Sequence, residues 1–167
     1  MSRLKRWARE ILVLALLLAG GMWVMDSWRA PKAPLAFADQ PLLTLDGHEV
    51  TLKALSQQRP LLVYFWASWC GVCRFTTPTV ADMAQQGRNV IGIALRSGEN
   101  DKVQRYLQAK QYHLPLVNDP EGRLSANWHI SVTPTLVIID KGKVVGTTTG
   151  YTSGWGMQLR LWWAGLS

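Results

Sequence analysis

An unbroken apolar run ends shortly before the two cysteines of the chain, and this arrangement limits the folds that the chain can adopt. Leu61–Trp66 has the length of a strand that is buried on both faces of a sheet. The cysteines follow in the segment Cys70-Gly71-Val72-Cys73, and a helix is predicted from about Cys70 to Gln86. A buried strand, a cysteine pair and a helix in this order indicate a layered α/β domain.

The rest of the chain alternates between strand and helix patterns. Asp46-Gly47 separates two short apolar segments and favours a tight hairpin. Asn100 and Ser153 are the predicted N-caps of two helices. The length of 167 residues allows one domain and a short appendage, and we assign residues 39–167 to the domain. Further strands are predicted over Val90–Leu95, Thr135–Ile139 and Val144–Thr148, and helices over Asp101–Lys110, Gly122–Trp128 and from Ser153 to about Ala164.

The two cysteines are the candidate reactive groups. Disulfide exchange needs a thiolate that attacks and a second thiol that resolves the mixed disulfide. Unpaired N–H groups at a helix N-terminus favour the thiolate of Cys70, and Cys73, one turn further, is the predicted resolving thiol. The alternatives are half of a zinc site and an inert buried pair, but His48, His113 and His129 show no ligand spacing. We therefore predict neither a metal nor a cofactor.

Three segments together resemble the thioredoxin-like family. Tyr64–Cys73 is similar to the central strand and active-site loop of that family, and Pro78 matches its helix-kinking proline. Val132–Leu136 is similar to the loop in which the family keeps a cis proline facing the cysteines. The resemblance implies a thioredoxin-like α/β fold, with a central mixed sheet flanked by helices, an N-terminal hairpin and a central insertion.

The same resemblance implies roles for individual residues. Cys70 and Cys73 are expected to form a redox-active disulfide that exchanges with disulfides of client proteins. Trp69, Thr133 and Pro134 are expected to bind the substrate, the last in a cis peptide bond. The chain would thus be a thiol–disulfide oxidoreductase of the protein disulfide reductase type.

The hairpin and the insertion are similar to the membrane-tethered periplasmic reductases, above all those of bacterial suppressor-of-copper-sensitivity systems. This similarity implies a membrane thiol reductase as the electron donor and a role in copper tolerance. The chain departs from its relatives at Tyr64, where many have a buried carboxylate, and at Thr76, where cytochrome-maturation reductases have a glutamate. A periplasmic copper-binding protein and an oxidant that donates its disulfide are the alternative functions.

An apolar run near the N-terminus predicts a membrane anchor. Ile11–Met25 covers about 22 Å as a helix, and the window from Trp7 to Trp28 covers about 33 Å, enough for a hydrocarbon core of ~30 Å. Basic residues ahead of the run keep the first residues in the cytoplasm. A cleaved signal peptide is the alternative, with Ala36-Phe37-Ala38 as a distant cleavage site.

These features define the predicted topology. Residues 1–9 form a cytoplasmic tail, residues 10–28 the transmembrane anchor and residues 29–38 a semi-extended linker. The protein is then a single-pass inner-membrane protein with its catalytic domain in the periplasm. A net charge of +7 without a clustered basic face in the domain does not indicate nucleic acid binding.

The remaining tryptophans and methionines are predicted mainly as packing residues. Trp66, Met83 and Met157 are assigned to the core. Trp128, Trp155, Trp162 and Trp163 are also expected to pack inside the domain, with contact between the last two and a membrane or a partner as the alternative.

Overall fold

The computed structural model describes residues 2–29 and 31–166. The chain divides into two compact units, Met1–Ala30 and Pro31–Ser167. The first contains helix α1 (Ser2–Arg29). In the described ranges no helix has both the length and the apolar character needed to cross a membrane, so the anchor predicted over residues 10–28 has no support there. The side chain of Trp28, the second predicted interface anchor, lies outside the described residues.

The second unit begins with the predicted hairpin and continues with alternating strands and helices. Its elements are β1 (Leu42–Leu43), β2 (Glu49–Val50), α2 (Leu52–Leu55), β3 (Leu61–Trp66), α3 (Cys73–Gln85), β4 (Val90–Leu95), α4 (Asn100–Lys110), β5 (Leu116–Asp119), α5 (Arg123–Asn127), β6 (Thr135–Asp140), β7 (Lys143–Thr149) and α6 (Gly154–Ala164).

The last five strands form one mixed sheet in the order β5-β4-β3-β6-β7. β3 pairs in parallel with β4, and β4 with β5, whereas β6 is antiparallel to both β3 and β7. β1 and β2 pair antiparallel in a separate hairpin, and Thr44 bridges to Val117 at the β5 edge. The expected central mixed sheet flanked by helices is therefore confirmed.

Successive residues of β3 supply two apolar cores, one on each face of the sheet. Leu62, Tyr64 and Trp66 join the cluster covered by α3, α4 and α6, which we call the first core cluster. Leu61, Val63 and Phe65 join the cluster that contains Trp128, the second core cluster. Every residue of β3 is buried, as the unbroken apolar run predicts. Trp66, Met83, Trp128 and Met157 lie in these cores, as predicted.

Two predicted helix starts differ from the structure. α3 begins at Cys73 rather than at about Cys70, because residues 70–72 form a turn before the helix. The predicted N-cap Asn100 is already the first helical residue, and Glu99 is the cap. The Asn100 side chain instead accepts a hydrogen bond from Asn118 Nδ2 at 2.9 Å. Ser153, in contrast, caps α6 as predicted, because its Oγ accepts from the Gly156 N–H at 3.2 Å.

The segment predicted as a semi-extended linker lies partly against the domain. The Lys32 N–H donates to the Trp128 carbonyl at 3.1 Å, and the Phe37 ring packs edge-on against the Trp128 indole with centroids 4.9 Å apart. At the end of the predicted linker, Phe37 packs against the second core cluster, and Ala38 is buried.

Candidate active site

The two cysteines lie just beyond the C-terminal end of β3 and are joined by a disulfide. Their Cα atoms are 5.3 Å apart, and both residues are buried. The Cys73 N–H donates to Cys70 Sγ at 3.2 Å. Val72, the N-cap of α3, makes no side-chain capping bond, and the Cys70 sulfur accepts from the first N–H of the helix instead. After reduction, this N–H and the helix N-terminus both favour negative charge on Cys70.

The loop before β6 meets the cysteines from the other side. The Thr133–Pro134 peptide bond is cis, and the Thr133 carbonyl oxygen lies 3.5 Å from Cys70 Sγ. Pro134 is buried, and its carbonyl accepts from the Gly150 N–H at 2.8 Å. Because β6 runs antiparallel to β3, its first residues reach the same edge of the sheet as the residues after Trp66. The sheet topology thus brings together the two motifs that the sequence singled out.

Trp69, the third predicted substrate contact, is 62% exposed beside the cysteines. Its indole Nε1–H donates to the Arg96 carbonyl at 3.0 Å, and the Ser68 N–H donates to Ser97 Oγ at 2.9 Å. Ser97 is buried and donates in turn to the Leu95 carbonyl. The residues that precede Cys70 are therefore held by those that follow β4.

Sequence reasoning missed Arg96 and Ser97. Neither belongs to a motif, and their contacts with the active-site loop bridge 27 and 29 residues of sequence. The parallel pairing of β3 with β4 brings the two segments together. The end of the Val90–Leu95 strand was the available signal, since loops after neighbouring parallel strands share one edge of a sheet.

Replacing Ser97 by alanine tests whether its hydrogen bond to the Ser68 N–H stabilises the active-site loop. The Ser68 N–H would lose its acceptor in a half-buried setting, which costs about 1–3 kcal/mol. We expect the free energy of unfolding of Ser97→Ala to fall by that amount in urea denaturation. Ser131→Ala is the control, because Ser131 is exposed and should stay within about 0.5 kcal/mol of the wild type. Equal stabilities for both variants would contradict this role of Ser97.

The two positions at which the chain departs from its relatives are buried and carry hydroxyl groups. Tyr64 OH and Thr77 Oγ1 are 2.9 Å apart, and Tyr64 belongs to the same core cluster as Cys73. Burial raises the pKa of Tyr64 above its ordinary value, so the phenol is neutral at physiological pH. Thr76 Oγ1 lies 3.5 Å from the Val72 carbonyl oxygen, to which it donates. Neutral hydroxyls thus stand at the two positions where the family resemblance implied carboxylates.

Three exposed apolar side chains lie close to the two cysteines along the chain. Val72 and Phe75, at the start of α3, are exposed together with Trp69. Exposed large apolar side chains next to a reactive group are typical of a binding surface. Among the described residues, no three His, Cys, Asp or Glu side chains are grouped as a metal site.

The comparisons with known proteins agree with this geometry. Residues 30–147 match the AhpC/TSA family. A thioredoxin-like protein of Haemophilus influenzae is 43% identical over 141 residues, which cover 84% of each chain. The thiol:disulfide interchange protein DsbE of Xylella fastidiosa is 32% identical over 117 residues, 70% of this chain and 56% of that protein.

A solved structure gives the same result for the fold. The exposed lipoprotein thioredoxin Etrx1 of Streptococcus pneumoniae superimposes with a TM-score of 0.63 at 26% identity, over 73% of this chain and 96% of that one. The fold, the disulfide at the end of β3 and these relatives define the chain as a thiol–disulfide oxidoreductase with a thioredoxin-like fold. It belongs to the AhpC/TSA family.

Proposed function

We propose that the chain reduces disulfides of client proteins through its Cys70–Cys73 dithiol. The Cys70 thiolate attacks one sulfur of a client disulfide, and a mixed disulfide forms as the first client thiolate leaves. Cys73 loses its proton and attacks Cys70 Sγ, which releases the second client thiolate and forms the Cys70–Cys73 disulfide. Two electrons pass from the dithiol to the client. The observation that carries this assignment is the Cys73 N–H bond to Cys70 Sγ, which favours the thiolate of Cys70 and so makes it the attacking sulfur.

The client segment would bind across the loop before β6 and the exposed apolar side chains. The Thr133 carbonyl, beside Cys70 Sγ, can accept from a backbone N–H of an extended client segment. The buried Pro134 would lie beneath the bound segment. The exposed side chains of Trp69 and Phe75 offer apolar area for client side chains. Main-chain bonding with little side-chain selection suits an enzyme that acts on several clients.

Alkylation rates measured against pH test the assigned roles of the two thiols. In reduced Cys73→Ser, Cys70 should react with iodoacetamide at a lower pH than free cysteine does, because the helix N-terminus favours its thiolate. In reduced Cys70→Ser, Cys73 should react only at a higher pH, because it is almost fully buried. Equal rates for the two variants near pH 7 would contradict the assignment of Cys70 as the attacking thiol and Cys73 as the resolving thiol.

We also propose that the N-terminal unit tethers the domain to the inner membrane. The apolar side chains of Ile11, Leu14 and Leu18 in α1 are exposed, and an exposed apolar helix needs a non-aqueous environment. The basic residues before Ile11 favour a cytoplasmic N-terminus, which leaves residues 39–167 in the periplasm. The description of Etrx1 as an exposed lipoprotein fits an exported domain held at a membrane.

A fusion of alkaline phosphatase after Ser167 tests this topology. We expect an active fusion that stays in the membrane fraction after carbonate extraction, and an inactive one when residues 2–28 are deleted. A cytoplasmic reporter at the same position should be inactive. The opposite reporter pattern would overturn the periplasmic assignment, and a processed, freely soluble chain would replace the tether by a cleaved signal peptide.

Each turnover leaves the pair oxidised, so the cycle needs a donor of two electrons. We propose a membrane thiol reductase in this role and a client within a copper-tolerance system, both supported by the resemblance to the tethered reductases. The test is the redox state of Cys70 and Cys73 in cells, read by thiol trapping. We expect mostly reduced thiols, and oxidised thiols when the membrane reductase is deleted. A pair that is oxidised in both strains would favour the disulfide-donating alternative.

A further inference from the structure

Helix α6 carries apolar side chains on two opposite sides. Met157 and Ala164 face the sheet and belong to the first core cluster. On the other side, Trp155 is 86%, Leu159 58% and Trp162 60% exposed. Large apolar side chains grouped on one exposed side of a helix are typical of a contact surface. The outer side of α6 therefore lacks a cover among the described residues.

This finding corrects the expectation that these tryptophans pack inside the domain. Trp155, Trp162 and Trp163 are exposed, while Trp128 alone among the four is buried. The sequence could not separate the two sides of α6, because apolar residues occupy both. The face toward the sheet is filled by Met157, one of the smaller apolar side chains of the helix.

The exposed residues follow the spacing of a helix-pairing seam. Trp155, Leu159, Trp162 and Leu166 are separated by four, three and four residues, the alternation of d and a positions in a heptad repeat. Leu166 continues the spacing just past the end of α6 and is also exposed. We call these four residues the α6 seam. Such spacing fits a second helix lying along α6.

The borders of the seam carry positive charge. A groove of about 740 Å³ between α6 and β7 includes Arg160 and Trp163, and a second of about 430 Å³ includes Arg59 and Arg88. Among the described residues that line the two grooves, none is acidic. A guanidinium group binds favourably over the face of an indole ring. Tryptophan and arginine are also the residues most enriched at the centres of protein interfaces.

We propose that the α6 seam pairs with the α6 seam of a second copy, antiparallel and about a two-fold axis. A two-fold pair places each seam against the same apolar residues of the other copy, and the arginines at its borders can reach the partner's indoles. The two indoles of the seam and that of the neighbouring Trp163 together provide roughly 300–550 Å² of surface. With Leu159 and Leu166 this approaches about 600 Å² a side, the lower limit for a specific interface.

The segment that begins at Pro31 packs on the side of the domain away from the α6 seam. This segment joins the domain at Trp128, which lies in the second core cluster, whereas α6 covers the first. The seam and the attachment point are thus on opposite faces of the sheet.

The experiment measures the mass of the full chain in detergent over a concentration series, using light scattering after size exclusion. We expect a dimer for the wild type and for Leu43→Glu, a control that puts the same charge at an exposed leucine outside the seam. Trp162→Glu should raise the dissociation constant at least about 30-fold, as the loss of a central interface residue does. All three should reduce insulin at the same rate. Should Trp162→Glu fail to fold, Leu166→Glu, beyond the end of the helix, replaces it.

A monomeric wild type, or a dimer that Trp162→Glu leaves intact, would overturn the proposal. A photo-reactive benzoylphenylalanine in place of Leu159, activated in native membranes, identifies the neighbour directly. We expect an adduct of twice the chain mass from position 159 and none from position 43. A lipid adduct, or an adduct with another protein in place of the dimer, would equally contradict pairing between copies.

Discussion

Replacing Cys70 by serine should reduce the rate of insulin disulfide reduction by on the order of a thousand-fold or more. Removal of the attacking sulfur leaves no nucleophile at the position that accepts the Cys73 N–H, and serine does not take its place in thiol exchange. Cys73→Ser should also stop turnover, but at a later step. Its Cys70 still attacks, and the mixed disulfide with the client then has no resolving thiol.

The two variants therefore differ in what accumulates. Non-reducing gels and mass spectrometry should detect a covalent complex between Cys73→Ser and its client, and none for Cys70→Ser. If the two thiols were buried and did not react with clients, neither variant would form a covalent complex. Stable complexes from Cys70→Ser but not from Cys73→Ser would show that the roles are reversed.

Replacing Trp128 by alanine should have the largest effect on stability, lowering the free energy of unfolding by about 3–5 kcal/mol. The indole is 2% exposed and packs on Phe65 of the central strand and on Phe37. Its removal opens a cavity in the second core cluster and frees the segment that begins at Pro31. Urea denaturation measures the loss, and proteolysis between residues 31 and 39 should become faster.

Leu35→Ala is the matched control for this variant. Leu35 is fully exposed in the same N-terminal segment, so its removal should change the stability by no more than about 0.5 kcal/mol. A loss below about 1 kcal/mol for Trp128→Ala would mean that the N-terminal segment and the second core cluster do not pack as described.

The order of elements around the active site could be predicted from local sequence. The apolar run Leu61–Trp66 is buried on both faces, and Val90–Leu95 coincides with β4. The motif that contains Thr133-Pro134 lies beside Cys70 because β6 is antiparallel to β3. In each case a few consecutive residues are sufficient for the prediction, because an apolar run of this length usually forms a buried strand and a Thr-Pro motif usually lies in a loop.

Long-range contacts and surface exposure were less predictable. The short strand β5 and helix α2, with four residues each, carry little periodicity and were not predicted. The bond from Ser68 to Ser97 depends on which strands become neighbours, which no local pattern encodes. On α6, apolar residues on both sides concealed which side meets the sheet, and only the structure distinguishes Met157 from Trp155.

Electron transfer from the reduced chain to a protein disulfide tests the central claim most directly. The reduced chain is mixed with insulin, both disulfides are followed by thiol trapping, and Cu(I) is titrated into a parallel sample. We predict that one insulin disulfide opens for each Cys70–Cys73 disulfide that forms, and that redox equilibration with glutathione gives the direction of transfer. A reduced chain that binds Cu(I) tightly through Cys70 and Cys73, yet opens no insulin disulfide, would contradict the oxidoreductase assignment and favour a copper carrier.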